Sequence, residues 1–362
     1  MPIYAEERAK ELQLLTRAAL RELPEVCFDF INAIDATTQP LTRYAYVSDL
    51  KLFFGFLISE LPKFADKTPR QLNADDLAKV TSRDIYMYLD FLGLYVKDDT
   101  EFSNQDLGKM RKLSSLRSFY KFMYKNGYID SDPAALVDLP KRHQKPIIRL
   151  EPDEMARLLE TVESGDGLSK KQRIYHQANA VRDTAIIMLF LGTGMRISEL
   201  VGIDLDDLNF SSNEVRITRK GGNEEQIVFG QEVREALLNY LVYRNSVIPA
   251  EGHEKAFFLS MQKKRMSVRS VEVLVKKYAS IAAPLKKISP HKLRSTYGTM
   301  LYRETGDIYL VADVLGHKDV NTTRKHYAAM SEDRRRLAAE VIKLRGDENG
   351  EPTPPPPDIP EE

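Results

Sequence analysis

Residues 289–294 read Ser289-Pro290-His291-Lys292-Leu293-Arg294. A serine followed by proline is an N-cap and first-turn signature, so the segment predicts the start of a helix with His291 in its first turn. Arg294, three residues on, shares that face. The unpaired N–H groups and the dipole of a helix N-terminus favour an anion, and a guanidinium fork beside them makes a phosphate site. Taken alone, the same four residues read equally well as a surface ion pair.

The neighbouring segments carry more residues of the same character. Downstream, Leu315-Gly316-His317 predicts a helix that ends at a glycine and presents a histidine just beyond it. Asn321-Thr322-Thr323-Arg324-Lys325-His326-Tyr327 follows, with Asn321 a suitable cap for a short helix carrying Tyr327. Upstream, Gly192-Thr193-Gly194-Met195-Arg196-Ile197-Ser198-Glu199-Leu200 sets Arg196 at the mouth of a glycine turn, with Glu199 one helical turn later to orient it. Residues 214–218 and 226–229 alternate around Arg219-Lys220-Gly221-Gly222-Asn223, a β-hairpin signal with Lys220 in its turn. Each of these has an ordinary structural reading. Tyr327 can be a half-buried aromatic, Lys220 a solvated turn residue, and Arg196–Glu199 a helix pair worth a few tenths of a kcal/mol.

The ordered set Arg…Lys…His-x-x-Arg…Gly-His…Tyr resembles the tyrosine site-specific recombinase and integrase family. It looks closest to the Xer type, with the single-protein XerS class as one candidate. The resemblance spans residues 25–343 and places Arg196, Lys220, His291, Arg294, His317 and Tyr327 on the family's catalytic positions, with Glu199 on the acid that supports the first arginine. One departure is visible: ten positions separate His317 from Tyr327, where nine is the commoner spacing. The resemblance implies a mainly α fold: an all-α, SAM-like core-binding domain and an α+β catalytic domain with a small antiparallel sheet. It also implies cleavage and rejoining of double-stranded DNA at a specific site through a 3′-phosphotyrosine, with no cofactor. A homo-tetramer on two DNA sites, linked by a C-terminal helix over residues 331–345, completes the expectation. Chromosome dimer resolution and mobile-element integration or excision both fit. A type IB topoisomerase-like relaxase and a non-catalytic DNA-binding protein are the competing readings.

The residue types suit that chemistry on their own. A tyrosine hydroxyl with pKa about 10 is roughly a thousandfold protonated at pH 7, a handicap of about 4 kcal/mol. His291, kept neutral by the helix N-terminus, is the candidate base. Arg196 and Arg294 can bind a pentacoordinate phosphate bidentately, with His317 donating a further hydrogen bond. Lys220 can protonate the departing 5′ oxygen. A tyrosine ester conserves the bond energy, so rejoining needs no ATP, and the sequence has neither a P-loop glycine pattern nor clustered carboxylates for nucleotide or metal.

With 362 residues the chain is too long for one ordinary core, which favours two domains. No apolar run approaches a membrane span and the N-terminus has no apolar signal region, so a cytoplasmic, nucleoid-associated protein is expected. The single cysteine, Cys27, precludes an internal disulfide and reads as a small core residue. The formal net charge of zero hides an asymmetry. Residues 346–362 hold six acids and no base, so the remainder carries six more bases than acids. Residues 255–303 contain twelve Lys or Arg against one acid, Glu272, which reads either as a solvated face or as a footprint for phosphate backbone.

Residues 1–24 read as an N-terminal amphipathic helix. Four helical patterns follow, over residues 25–36, from Thr42 (Tyr46, Leu50, Phe53, Leu57), from Thr81 or Ser82 (Ile85, Tyr88, Leu89, Leu92), and over 104–126, closed by Gly127. The last has Leu107, Met110, Leu113, Leu116, Tyr120 and Met123 on one face and Lys109, Arg111, Lys112, Arg117, Lys121 and Lys125 on the other. The predicted core-binding domain is residues 25–140. Residues 141–147, with Lys141, Arg142 and Lys145, read as a basic linker bracketed by prolines. The predicted catalytic domain is residues 148–345, with a helix over 152–162, an inserted polar loop over 163–180, and an apolar helix capped by Asp183. Residues 346–362 form an acidic, Pro-rich tail expected to be disordered. Lys109, Arg111, Lys112, Arg117, Lys121, Lys141, Arg142, Lys145, Lys263, Lys264, Arg265 and Arg269 are the expected DNA-contacting residues.

Overall fold

A computed structural model of the chain describes residues 3–97, 99–138, 148–219, 222–317 and 319–320. Backbone proximity divides the chain into two compact units, Met1–Pro146 and Ile147–Glu362. Both are mainly helical.

The first unit is α1 (Ile3–Leu20), α2 (Val26–Ala33), α3 (Pro40–Glu60), α4 (Ala74–Ala78), α5 (Ser82–Phe91), a hairpin of β1 (Tyr95–Lys97) and β2 (Thr100–Phe102), and α6 (Asp106–Lys125). Helix α3 buries Val47, Leu50, Phe53, Phe54, Phe56 and Leu57 against Leu113, Leu116, Phe119, Tyr120 and Met123 of α6. Edge-on ring pairs lock this interior, Phe30 on Phe119 at 5.5 Å and Phe53 on Tyr88 at 5.1 Å; each is worth about 0.5–1.5 kcal/mol beyond the area it buries. Cys27 is fully buried in the same cluster, and burial pushes its thiol far above the usual range. Helix α1 lies along α3, with Leu12 and Leu20 buried, so α1 packs as part of this unit. The 95–102 hairpin and α4, too short to show a period, were not legible in the sequence.

One correction concerns the basic face of α6. Lys112 is buried, its Nζ donating to Asn104 Oδ1 at 3.0 Å and lying 3.9 Å from Asp49. Asp49, in the core-facing row of α3, accepts both arms of the Arg111 guanidinium and the Ser115 hydroxyl at 2.6 Å. Arg117 donates to the carbonyls of Ala134 and Val137. Leu107, conversely, is exposed and no part of the core.

The second unit opens with α7 (Pro152–Ser164), closed by Gly165 at φ +75°, and α8 (Lys170–Thr193), closed by Gly194 at φ +62°. Then come α9 (Ile197–Gly202), strands β3 (Leu208–Asn209), β4 (Glu214–Thr218) and β5 (Glu224–Val228), α10 (Gln231–Ser246), α11 (Val268–Ala282), α12 (Pro290–Thr305) and α13 (Ile308–Val314). The three strands form an antiparallel sheet in order β3-β4-β5, with Val215 facing Ile227 across the hairpin and Val215, Ile217 and Ile227 buried. Helices α10 and α12 pack on α8, α11 packs on α7, and α13 packs on α12.

The inserted loop expected over residues 163–180 is not there. Helix α8 starts at Lys170 behind Ser169, whose hydroxyl accepts from Gln172 N–H. Asp183 caps nothing; it lies mid-helix, 1% exposed. Most of the polar residues there are exposed on the helix surface, but His176 and Asn179, with Arg182 and Asp183 just beyond them, are buried. Asp183 accepts from the Arg182 guanidinium, from Tyr278 OH at 2.8 Å and from Lys277 Nζ at 3.2 Å. His176 Nδ1 lies 3.0 Å from the same Tyr278 oxygen, and Arg182 also donates to Leu259 O.

Candidate active site

Three turns of the second unit converge. The first is the C-terminus of α8, where Gly194 adopts a left-handed conformation that turns the chain sharply into α9. A side chain there would meet Tyr297 at 2.4 Å, so only glycine fits. The second is the N-terminus of α9, where Glu199 reaches back: its Oε2 accepts the Arg196 N–H at 2.7 Å and its Oε1 accepts from the Arg196 guanidinium at 2.8 Å. Both contacts tie the Glu199 carboxylate to Arg196 at this turn.

The third turn ends α13. Gly316 has φ +60°, its N–H donates to Asp313 O at 2.7 Å, and the His317 N–H donates to Ala312 O at 2.9 Å. This paired closure is the Schellman arrangement, and it lifts the last helix carbonyls outward, where arginines take them. Arg294, buried in α12, donates to Leu315 O and, at 2.6 Å, to Gly194 O. Arg196, whose side chain is 36% exposed, donates to Gly316 O at 3.2 Å. Arg219, following β4, donates to Val314 O at 3.3 Å. Three guanidinium groups from three elements thus sit on three consecutive carbonyls. The partial negative charge at a helix C-terminus is well matched to them.

His317 is the next residue along that turn. Pro290 occupies the first position of α12 and His291 is exposed in its first turn, as the opening segment of the sequence predicts. Lys220 and Tyr327 lie outside the described residues, as do Asn321, the linker residues Lys141, Arg142 and Lys145, the 331–345 helix and the tail. The described flanks of Lys220 close a tight hairpin: Arg219 N–H donates to Asn223 O at 2.8 Å and Gly222 N–H to Arg219 O at 3.1 Å. Sequence reasoning missed Arg219, whose one signal was its position beside Lys220.

Of the other basic positions, Lys263 and Lys264 are exposed, Arg269 is exposed beside Glu272, and Arg265 is half-buried, bound to Asp204 and donating to Val201 O and Ile203 O at 3.0 Å. Among the described residues no group of three or more His, Cys, Asp or Glu is placed to hold a metal ion.

The phage integrase family model matches residues 148–334, the stretch that holds all these turns. A tyrosine recombinase XerC of Caldanaerobacter subterraneus subsp. tengcongensis is 34% identical over 88% of this chain and 86% of its own length. The chain belongs to the phage integrase family. It is an Xer-like tyrosine recombinase, an enzyme of site-specific recombination. A second XerC, from Pelobacter propionicus, is 30% identical to this recombinase over 82% of the chain and 86% of the relative. Among solved structures, the Tn1549 transposon integrase in complex with transposon right end DNA has a TM-score of 0.61 at 18% identity, covering 88% of the recombinase and 99% of the integrase chain. The XerH site-specific recombinase bound to difH substrate has a TM-score of 0.59 at 19% identity, covering 84% and 80%. These likenesses establish the fold, mainly α with a small antiparallel sheet.

Proposed function

We propose that this recombinase cleaves and rejoins double-stranded DNA by forming a 3′-phosphotyrosine at Tyr327, with no metal ion or nucleotide taking part. The observation that carries the reading is the placement of Arg196 and Arg294, 98 positions apart in sequence, on the adjacent carbonyls of Gly316 and Leu315 immediately before His317. A scissile phosphate seated there meets two guanidinium forks and an imidazole. Such preorganised donors stabilise the extra charge of a pentacoordinate phosphate, each by about 3–4 kcal/mol.

In this reading His291 takes the phenol proton, Lys220 returns one to the 5′ oxygen, and Glu199 holds Arg196 in register. Residues 25–140 and 148–345 act as the core-binding and catalytic domains, joined by the basic segment 141–147. Lys109, Lys121, Lys263, Lys264 and Arg269 serve as phosphate-backbone contacts, together with Lys141, Arg142 and Lys145. Arg111, Lys112, Arg117 and Arg265 act mainly by holding the fold. Four copies assemble on two sites through the 331–345 helix, in a cytoplasmic, nucleoid-associated setting. Support for a DNA substrate comes from the solved structures of similar fold, which are DNA complexes.

The test is covalent trapping. Genomic fragments incubated with the protein and then denatured yield protein-linked DNA, whose sequence gives the target site. Tyr327→Phe is expected to bind the recovered site with unchanged affinity and to form no adduct. An adduct that survives this substitution assigns the nucleophile elsewhere.

A further inference from the structure

Arg219 stands one peptide bond before Lys220. Its side chain is only 11% exposed, and its Nε lies 2.5 Å from Glu225 Oε2. From there the guanidinium runs over Gly316 to Val314 O. A Cβ on Gly316 would sit 0.8 Å from Arg219 Nη1, so the arginine occupies the space that a side chain would fill. Its main chain meanwhile closes the hairpin on both sides, through Asn223 and Gly222.

A solvated hairpin tip needs none of this, and burying an arginine carries a desolvation cost that its partners must offset. Proton delivery does need it. A general acid works within hydrogen-bond reach of the departing oxygen, and a misplacement of about 1 Å costs on the order of a hundredfold in rate. We propose that Arg219 is a positioning residue for the cleavage step: it ties the β4–β5 hairpin to the turn that ends α13, so that Lys220 and His317 address one phosphate. The proposal rests on the reading of Lys220 as the proton donor.

The experiment measures single-turnover cleavage on the trapped site, with either oxygen or sulfur at the 5′ bridging position of the scissile phosphate. A thiolate departs without a proton, so a fault in proton delivery disappears on sulfur, whereas a damaged phosphate pocket does not. Arg219→Ala and Glu225→Gln are expected to slow the oxygen substrate about 10- to 100-fold. DNA affinity should stay within about twofold, and the sulfur substrate should bring both variants close to the parent rate. Arg219→Lys, which keeps the charge without the fork, recovers part of the loss. Glu225 is 42% exposed, so its variant keeps the fold. Parental rates on oxygen in both variants, or equal slowing on both substrates, overturn the proposal. Lys220→Ala run alongside separates the two ideas. If sulfur fails to rescue it, the Lys220 reading falls and takes this one with it; if sulfur rescues Lys220→Ala alone, only the role of Arg219 is lost.

Discussion

Arg196 and Arg294 share one proposed phosphate but differ in what else depends on them. Arg294 is 6% exposed and satisfies two buried carbonyls, Gly194 O and Leu315 O. Arg294→Ala leaves both unpaired, so thermal melting should show a loss of about 2–4 kcal/mol in addition to lost cleavage. Arg196→Ala removes a partly exposed group and should melt within about 1 kcal/mol of the parent while losing on the order of a hundredfold or more in adduct formation. Equal melting losses would show that the two arginines are not divided in this way. Cys27 should ignore thiol reagents until the first unit unfolds, because the thiol is buried and held protonated. At this scale the sequence was most informative. The order and spacing of six polar residues suggested the proposed site, and among those described Arg196, His291 and His317 stand at helix ends or turns whose glycine, proline or serine is itself readable. The α13 carbonyls that gather the arginines were hidden, because a main-chain oxygen has no signature in the sequence.

Among the elements, α8 shows where sequence reading fails. Residues 170–180 of this helix read as loop because the stretch is mostly polar, yet His176 and Asn179 within it are buried, as are Arg182 and Asp183 in the turn that follows. Asn179 finds a local partner, Tyr175 O at 2.6 Å, but His176, Arg182 and Asp183 reach Tyr278, Leu259 and Lys277 in remote parts of the chain, and no local pattern announces a polar residue that will be satisfied at a distance. The junction also has a pH signature. Burial, reinforced by Lys277 and Arg173, lowers His176 below the ordinary histidine value of 6.5, while Asp183 and the Glu163 carbonyl pull the other way. A histidine that binds its proton less readily when folded contributes stability above that ordinary value, and the contribution is lost as pH falls through the lowered one. Chemical denaturation between pH 8 and pH 5 should therefore show the second unit weakening on acidification. His176→Gln should flatten that slope, and an unaltered slope would place the titration on another group.

Over the whole molecule, zero net charge is consistent with a proposed grip on a polyanion because much of the charge is settled internally. The acids that balance residues 255–303 lie elsewhere in sequence: Asp183 with Lys277, Asp204 with Arg265, Glu154 with Lys286, and Glu151 with Arg303. Lys263 and Lys264 remain exposed for backbone contact. If each meets a phosphate, replacing it with alanine should lower the slope of log affinity against log salt by about one. Arg265→Ala should instead reduce stability and leave the slope alone. Length and charge asymmetry made a two-unit, DNA-directed chain legible; which bases are already engaged was not, since their acids are scores of residues away. The same reach has a bearing on how the protein is made. The first unit's core closes at Val137, so it can fold while its successor is still being translated. Asp183 must wait 95 residues for Tyr278, and Arg196 must wait 120 for Gly316. A ribosome that stalls between these points leaves a charged carboxylate without its hydroxyl, and the Arg196 contact with Gly316 cannot form on the nascent chain until residue 316 has emerged.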